Sequence, residues 1–225
     1  MSSKCKPSCY NVHLCDGPYV ANDYLRCMTL TLLFMIITIA VSLLGINNEK
    51  IQTDLLLWPA RMTHPAQYYR FLTSGFVHMD YRHLLFNMFS FYFFGEFLEG
   101  VIGSGRFAFL YLAGIVVAGF PDFIKKRDKP YYASLGASGG VAAVIFATIY
   151  LDPWQRISLF LLPGIPSILF AVGYLIFTAY MARQGKGRVN HDAHLWGSIF
   201  GFLCMIVIDP SHGRYFIDQL MHPRF

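Results

Sequence analysis

Residues 134–140 read SLGASGG, which places Ser138 between glycines at the start of the apolar run 141–151. This run has the composition of a buried helix, so the Ser138 hydroxyl would lie at a helix start inside a membrane. A polar group there costs free energy unless it has a partner, and polar residues within membranes commonly have a function. The partner that the sequence offers is His194, which opens the last apolar run. A serine and a histidine in such positions are the ingredients of nucleophilic catalysis.

The composition identifies a membrane protein. Of the 225 residues, 55% are hydrophobic and 14% are charged, whereas soluble domains carry about 25% charged residues. The length suits one domain. The sequence has no basic and aromatic pattern of a nucleic-acid-binding module. We therefore interpret the net charge of +5 as basic residues that set the orientation of the chain in the membrane, and we expect no nucleic-acid partner.

Six apolar segments are candidates for crossing the membrane, given that a spanning helix needs roughly 20 apolar residues. The predicted spans are residues 28–46, 83–102, 107–120, 138–152, 157–181 and 193–208. The third ends before Pro121, and Pro163 and Pro166 predict a kink or a late start in the fifth. Aromatic and basic residues in the connection 47–82 indicate a long loop at the level of the lipid headgroups.

The predicted fold is therefore an all-α membrane protein, a bundle of six transmembrane helices with a long interfacial loop between helices 1 and 2. Its parts are a polar N-terminal tail of residues 1–27, a membrane domain of residues 28–209 and a short C-terminal tail of residues 210–225. The N-terminal tail lacks the apolar core of a cleavable signal peptide, so we expect the first span to remain as an anchor.

The topology of such a bundle brings four polar residues to one side of the membrane. Helices 2, 4 and 6 cross in the same direction, because one returning helix separates each from the next. His83 and Asn87 lie in the first turns of helix 2, four residues apart and therefore on one face. Ser138 begins helix 4 and His194 begins helix 6. We therefore expect all four side chains at a similar depth.

Small residues predict that helices 4 and 6 pack closely. Gly197 and Gly201 form a Gly-x-x-x-Gly pattern in helix 6, and Gly139 lies in the first turn of helix 4. Such small residues let two helix backbones approach each other in lipid, although they are also ordinary in membrane helix packing. Close packing of these helices would bring Ser138 near His194.

Ser138 and His194 predict a catalytic dyad. A free serine is a weak nucleophile and needs a base within hydrogen-bond reach, and His194 is the best-placed base. Asp192 is two residues from His194 and would point elsewhere on a helix, so we predict a dyad and not a triad. The oxyanion of the tetrahedral intermediate needs hydrogen-bond donors. Candidates are the backbone N–H of Ser138 at the helix start and the side chains of Asn87 and His83.

Several motifs, taken together and in their order, resemble those of the rhomboid family of intramembrane serine proteases. Gly136-Ala137-Ser138-Gly139 resembles the family's Gly-x-Ser-Gly, residues 83–87 resemble its His-x-x-x-Asn, and residues 193–201 (AHLWGSIFG) resemble the base motif of its last helix. Tyr69-Arg70 is similar to the Trp-Arg element of the first loop, with tyrosine in place of tryptophan. Glu99 with residues 103–105 resembles the acidic and glycine signature at the end of the second helix. The resemblance covers residues 69–209.

The resemblance implies a rhomboid-like bundle and a serine endopeptidase that cleaves in or near transmembrane segments of membrane-protein substrates. The site residues that it implies are Ser138 as nucleophile, His194 as base, and His83, Asn87 and Gly136 as oxyanion or loop-shaping positions. It implies no metal and no other cofactor. We expect transmembrane substrates and the lipid bilayer as partners, and the oligomeric state is not predicted.

One residue departs from the family pattern. Several members carry an aromatic residue four positions after the serine, which stacks on the base, whereas this chain has Ala142. In the family, water reaches the buried site through a cavity that faces one side of the membrane. His78 and His191 are candidates for lining it here, and the proline-containing fifth helix is a candidate for a moving gate.

Two other functions remain open. A rhomboid-like pseudoprotease would bind membrane clients without cleaving them; loss of a dyad residue would mark it, and this chain retains both. A metal-dependent hydrolase would use His78, His83, His191 and His194, but the sequence lacks the His-Glu-x-x-His helix of such enzymes. The N-terminal residues Cys5, Cys9, His13 and Cys15 do not have the spacing of a standard zinc module, so we expect a mostly reduced tail there.

The predicted location is a bacterial inner membrane, and a mitochondrial inner membrane is the alternative. Basic residues are concentrated on the side that receives the loop of residues 125–129, so the positive-inside rule favours an active site that opens to the cytoplasm. Common bacterial and secretory members of the family open outward instead, and both orientations stay open.

Overall fold

The computed structural model describes residues 29–158, 164–184 and 189–223, and this part of the chain is built almost entirely of helices. Its α-helices are α1 (Leu30–Asn47), α2 (Glu49–Leu55), α3 (Arg70–Thr73), α4 (Tyr81–Ile102), α5 (Ser104–Lys125), α6 (Ser138–Leu151), α7 (Ser167–Gln184), α8 (His191–Ile208) and α9 (His212–Met221). Two short strands, β1 (Arg156–Ile157) and β2 (Ile165–Pro166), pair antiparallel. The prediction of a mostly helical chain is confirmed. The predicted N-terminal tail, with its cysteines, lies outside the described residues.

Four helices in the described residues are long and apolar enough to cross a membrane, namely α1, α4, α5 and α8. They identify a membrane protein with several apolar spans. The apolar helix α6 has 14 residues and therefore rises about 21 Å, which is less than the roughly 30 Å thickness of a hydrocarbon core. Together α6 and α7 would complete the six predicted crossings, and that count stays a prediction.

Prolines mark two places where the observed helices differ from the predicted spans. Helix α5 continues through Pro121 to Lys125, because membrane helices tolerate the loss of the hydrogen bond that proline causes. The predicted end before Pro121 is therefore wrong. Helix α7 begins directly after Pro166, so the late start is confirmed, and described residues just before it belong to the strand pair. Pro163 lies outside the described residues.

Helix α6 occupies the centre of the bundle, where it packs against α4, α5, α7 and α8. Eleven of its 14 residues are buried, as expected for a helix that is apolar on all sides. The large side chains buried in this core include Phe91 of α4, Tyr111 of α5 and Tyr150 of α6. The start of α6 therefore lies between other helices and is supported by them.

The connection between α1 and α4 is folded. It contains α2, α3 and three short 3-10 turns, at Pro59–Arg61, Pro65–Gln67 and Ser74–Phe76. The buried Arg70 guanidinium donates to the carbonyls of Thr53 at 2.7 Å and Leu56 at 3.0 Å. Leu57 and Ser134 exchange two backbone hydrogen bonds of 2.9 Å. The connection thereby holds the segment that leads into α6.

Glu99 lies near the C-terminal end of α4, and its carboxylate links α4 to α1 and α5. Its carboxylate accepts hydrogen bonds from the backbone N–H groups of Leu30 at 2.9 Å and Thr31 at 2.8 Å, and from the Ser104 hydroxyl at 2.6 Å. N–H groups at a helix start have no partner within the helix, so the carboxylate satisfies the first turn of α1. These hydrogen bonds give Glu99 a structural role, which accounts for the acidic residue in the motif that resembles the family's second-helix signature.

Helix α9 lies within the predicted C-terminal tail and packs on the far end of α6. The rings of Phe216 and Tyr150 stack with 5.5 Å between their centroids. The Trp154 indole N–H donates to the Gln219 carbonyl at 2.6 Å. Residues after α8 thus fold back onto the bundle, at the end of α6 opposite Ser138.

Candidate functional site

Ser138 begins α6 after a turn of the backbone at Gly136. The φ angle of Gly136 is +120°, a conformation that residues with a side chain rarely adopt. The Gly136 N–H donates to the Ser74 carbonyl at 2.9 Å, and the Ala137 N–H donates to Nε2 of His78 at 3.2 Å. Ala137 at the N-cap position has no side chain that could cap α6, and among the described residues no other cap is seen, so the first N–H groups of α6 are available to a negatively charged atom.

His83 packs directly on Gly136. A Cβ atom at position 136 would lie 2.5 Å from Cε1 and 3.0 Å from Nε2 of the His83 ring, so the approach of this ring requires glycine. Asn87, one turn further along α4, is buried and donates to the His83 carbonyl at 2.9 Å. His83 therefore lies beside the turn before Ser138, whereas one amide hydrogen of Asn87 is used within its own helix.

Helices α6 and α8 are in backbone contact beside the two residues of the predicted dyad. A Cβ at Gly197 would overlap the Gly139 carbonyl, and the Cβ position of Gly139 lies 3.5 Å from the Ala193 carbonyl oxygen. Gly139 follows Ser138 directly, and Ala193 directly precedes His194. The predicted close packing is confirmed, and the two helix starts are neighbours.

The side chains of Ser138 and His194 are both half-buried. Within the described residues, no hydrogen bond joins the Ser138 hydroxyl to the His194 ring. Catalytic hydrogen bonds are often long without substrate and tighten in the complex, so the dyad stays a prediction. Asp192 forms an ion pair with Lys125 at 2.8 Å, as expected for a carboxylate that points away from His194.

The aromatic partner of His194 comes from α7. The rings of Tyr174 and His194 lie 16° from parallel with 6.2 Å between their centroids, and His191 approaches His194 edge-on at 6.0 Å. Ala142 is buried within α6 and has no aromatic ring that could stack on His194. Sequence reasoning missed Tyr174, because α7 carries several aromatic residues and their spacing does not show which one faces His194.

His78 is fully buried, and both of its ring nitrogens have partners. The Ser42 hydroxyl donates to the Phe76 carbonyl at 3.0 Å, so we infer that Nδ1–H of His78 donates to the Ser42 oxygen at 2.8 Å. Nε2 then accepts the Ala137 N–H. Burial, followed by the neighbouring His83, lowers the pKa of His78 to about 3. The neutral ring thus ties α1 to the segment that leads into α6, a structural role that the sequence had left open.

The histidines of the alternative metal site lie in two pairs. Ring centroids are 4.9 Å apart for His78 and His83, and 6.0 Å apart for His191 and His194. Both nitrogens of His78 are already bonded. In the ranges that the structure describes, no three His, Cys, Asp or Glu side chains form a group that could hold a metal ion. The donor arrangement therefore gives no support to the metal-dependent hydrolase.

Comparison with known proteins finds one family and several relatives. A family model described as the Rhomboid domain matches residues 65–210. RHOMBOID-like protein 12, mitochondrial, of Arabidopsis thaliana is 27% identical over 161 residues, which are 64% of this chain and 47% of that protein. Presenilin-associated rhomboid-like protein, mitochondrial, of Homo sapiens is 29% identical over 137 residues, 58% of this chain and 35% of that protein. Rhomboid protease GluP of Bacillus subtilis (strain 168) is 27% identical over 197 residues, 83% of this chain and 36% of that protein. The chain thus spans less than half the length of each of these relatives.

Proposed function

This chain belongs to the rhomboid family, and on that premise we propose that it is an intramembrane serine endopeptidase. In this proposal it hydrolyses peptide bonds in or near transmembrane segments of membrane proteins, with Ser138 as nucleophile and His194 as base. The observation that carries the proposal is the backbone contact between α6 and α8 at Gly139 and Gly197. This contact makes neighbours of the two helix starts that bear a hydroxyl and an imidazole.

The proposed reaction follows the chemistry of serine hydrolases. His194 accepts the hydroxyl proton of Ser138 while Oγ attacks the carbonyl carbon of the scissile bond. His194 then donates this proton to the leaving amine, the C–N bond breaks, and an ester on Ser138 remains. His194 next accepts a proton from water as the water attacks the ester carbon. It then returns this proton to Oγ of Ser138 as the C–O bond of the ester breaks, and the carboxylic acid product leaves.

The negative charge of each tetrahedral intermediate needs donors at fixed positions. The Ser138 N–H at the uncapped start of α6 supplies one, and side-chain N–H groups of His83 and Asn87 supply the others in this proposal. Asn87 keeps one amide hydrogen beyond the bond to its own helix. Removing one such donor typically lowers kcat by about 10²–10³-fold.

The proposed partners follow from this reaction. Substrates are membrane proteins that present a transmembrane segment, and the bilayer is the medium through which they reach the site. We propose a bacterial inner membrane as the location. A mitochondrial inner membrane is the alternative, since the named relatives include one bacterial and two mitochondrial proteins.

The direct test is Ser138→Ala in purified protein reconstituted with a model transmembrane substrate. We expect cleavage to fall by roughly 10³-fold or more, as for loss of other serine nucleophiles. The matched control is Ser211→Ala, which removes an exposed hydroxyl at the start of α9. A fluorophosphonate probe should label the wild type at Ser138 and should label His194→Ala far more slowly. Undiminished cleavage by Ser138→Ala would contradict the proposal.

The same assay separates the other two functions. A wild-type protein that retains the transmembrane substrate on co-purification, but neither cleaves it nor reacts with the probe, would be a client-binding pseudoprotease. Cleavage that is lost on treatment with a chelator, and regained on adding metal, would favour the metal-dependent hydrolase. Cleavage that persists with chelator and requires Ser138 agrees with the proposal.

A further inference from the structure

Asn190 joins three parts of the chain through one side chain. Its Oδ1 accepts the Ala193 N–H at 3.0 Å and so caps α8. Its Nδ2 donates to the Ser134 hydroxyl oxygen at 2.7 Å and also to the Asp122 carboxylate of α5. The amide oxygen and both amide hydrogens are therefore used, which specifies the orientation of the side chain.

Ser134 and Asn190 stand at equivalent places relative to the proposed dyad. Ser134 lies four residues before Ser138, and Asn190 lies four residues before His194. Ser134 is itself held by its two backbone hydrogen bonds to Leu57. The bond between Asn190 and Ser134 thus runs directly between the two segments that lead to the nucleophile and the base.

Asp122 anchors this bridge from α5. Its side chain is fully buried, and a buried carboxylate is costly unless it accepts hydrogen bonds. The Asn190 amide donates to this buried carboxyl group, so removing Asn190 would take a hydrogen-bond partner from one of its oxygens. The neighbouring Asp192 is occupied by its ion pair with Lys125 and does not compete for the Asn190 amide.

We propose that Asn190 is a positioning residue that sets the distance between Ser138 and His194 through its bonds to Ser134 and Asp122. This inference rests on the proposed function. Asn190 acts through the two segments and does not touch the substrate. A displacement of about 1 Å at a reacting group is enough to cost roughly 10²-fold in rate, so loss of the bridge should lower kcat and leave KM nearly unchanged.

The first test is Asn190→Ser, measured as kcat and KM for a model transmembrane substrate. Serine is a good helix cap but is too short to bond Ser134 and Asp122 together. We expect kcat to fall by about 10–100-fold while KM changes by less than about twofold. The matched control is Asn48→Ser, because Asn48 caps α2 in the same way, through bonds to the N–H groups of Lys50 and Ile51. Its kcat should stay within about twofold of the wild type.

The second test exchanges the amide and the carboxylate between positions 190 and 122. Asn190→Asp alone places a second carboxylate against Asp122, and we expect a larger loss of kcat than for Asn190→Ser. Adding Asp122→Asn restores an amide donor and a carboxylate acceptor in the opposite order, and the Ser134 hydroxyl can then donate to the introduced carboxylate. We expect the double variant to recover kcat to within about tenfold of the wild type, a rescue that double-mutant cycles can quantify.

The outcomes distinguish this inference from the proposed function. If Ser138→Ala is inactive but Asn190→Ser keeps the kcat of the wild type, the positioning role is wrong and the protease stands. A fall in melting temperature without a fall in kcat would likewise show a purely structural residue and overturn the inference. If the folded double variant is no more active than Asn190→Asp, the bridge is not what sets the rate. If Ser138→Ala itself cleaves, the proposed function fails first.

Discussion

At the scale of single residues, two constraints coincide at Gly136. Its φ of +120° disfavours any side chain, and the His83 ring occupies the space of a Cβ. Gly103, between α4 and α5, has a φ of +81° but no atom within 4 Å of its Cβ position. Comparing the two glycines therefore separates backbone strain from the contact with His83.

We predict that Gly136→Ala and Gly103→Ala both lower the free energy of unfolding by about 1–3 kcal/mol, the usual cost of backbone strain. Only Gly136→Ala displaces the His83 ring, so it alone should lower cleavage, by roughly 10²-fold if one oxyanion donor is lost. Chemical denaturation and the cleavage assay measure the two effects. Equal activity of the two variants would show that the position of His83 does not matter to the reaction.

At the scale of helices, the proposed base His194 on α8 packs against the neighbouring helix α7. Tyr174 covers one face of the His194 ring, and Phe170 stacks in turn on Tyr174 with 5.5 Å between centroids. In the resemblance to the family, this support would come from α6, where Ala142 stands. In this chain the stacked ring comes from α7 and not from α6, the helix that Ser138 begins.

We predict that Tyr174→Leu lowers kcat by about tenfold. Aromatic pairs contribute roughly 1 kcal/mol beyond burial, and without the Tyr174 ring the His194 ring would be freer to rotate. Tyr174→Phe keeps the ring and should retain most of the activity. Tyr180→Leu, which removes an exposed ring from the same helix, is the matched control. Loss of activity in Tyr174→Phe equal to that in Tyr174→Leu would mean that the hydroxyl, and not the stacked ring, is needed.

At the scale of the whole molecule, His78 links regions that are far apart in the chain. Its ring bonds Ser42 of α1 and the backbone of Ala137 before α6. A second proton would have to enter at Nε2 and would break the bond to Ala137. Burial, followed by the neighbouring His83, holds the pKa of His78 in the folded state at about 3, whereas the ordinary value is 6.5.

We predict a loss of stability in acid that originates at His78. Between pH 6.5 and pH 3 the unfolded chain binds the proton and the folded chain does not, so the free energy of unfolding falls as the pH falls. The loss is about 2 kcal/mol at pH 5 relative to neutral pH. His78→Gln, a neutral side chain with one donor and one acceptor in place, should remove this part of the pH dependence.

The measurement is unfolding in detergent micelles at several pH values, with His222→Gln, at the exposed C-terminal turn, as the control. A wild-type slope below pH 6.5 that survives in His78→Gln would assign the acid sensitivity to another group. The same series checks that the folded His78 ring is neutral, because a ring that is already protonated at neutral pH would give no such slope.

Local features of the sequence were enough to predict part of the candidate site, and its catalytic roles stay a prediction. Ser138 and His194 are polar residues at the starts of apolar runs, and glycines beside them predicted the contact of α6 with α8. The motifs of residues 83–87 and 136–139 suggested that His83 and Gly136 belong to one site, and the two residues lie against each other in the structure. The predicted end of α5 before Pro121 is wrong, because a membrane helix tolerates a proline that would disrupt a helix in water.

Composition and short-range spacing by themselves determined that this is a helical membrane protein and which polar residues open its helices. Helical periodicity and apolar length are local properties, and they do not depend on the partner of each helix. Only the tertiary structure decided that Tyr174 covers His194, that His78 holds the backbone before α6, and that Asn190 bridges Ser134 to Asp122. Those contacts join residues from different helices and loops, and the angles and depths at which helices pack leave no repeat in the sequence from which such pairs could be deduced.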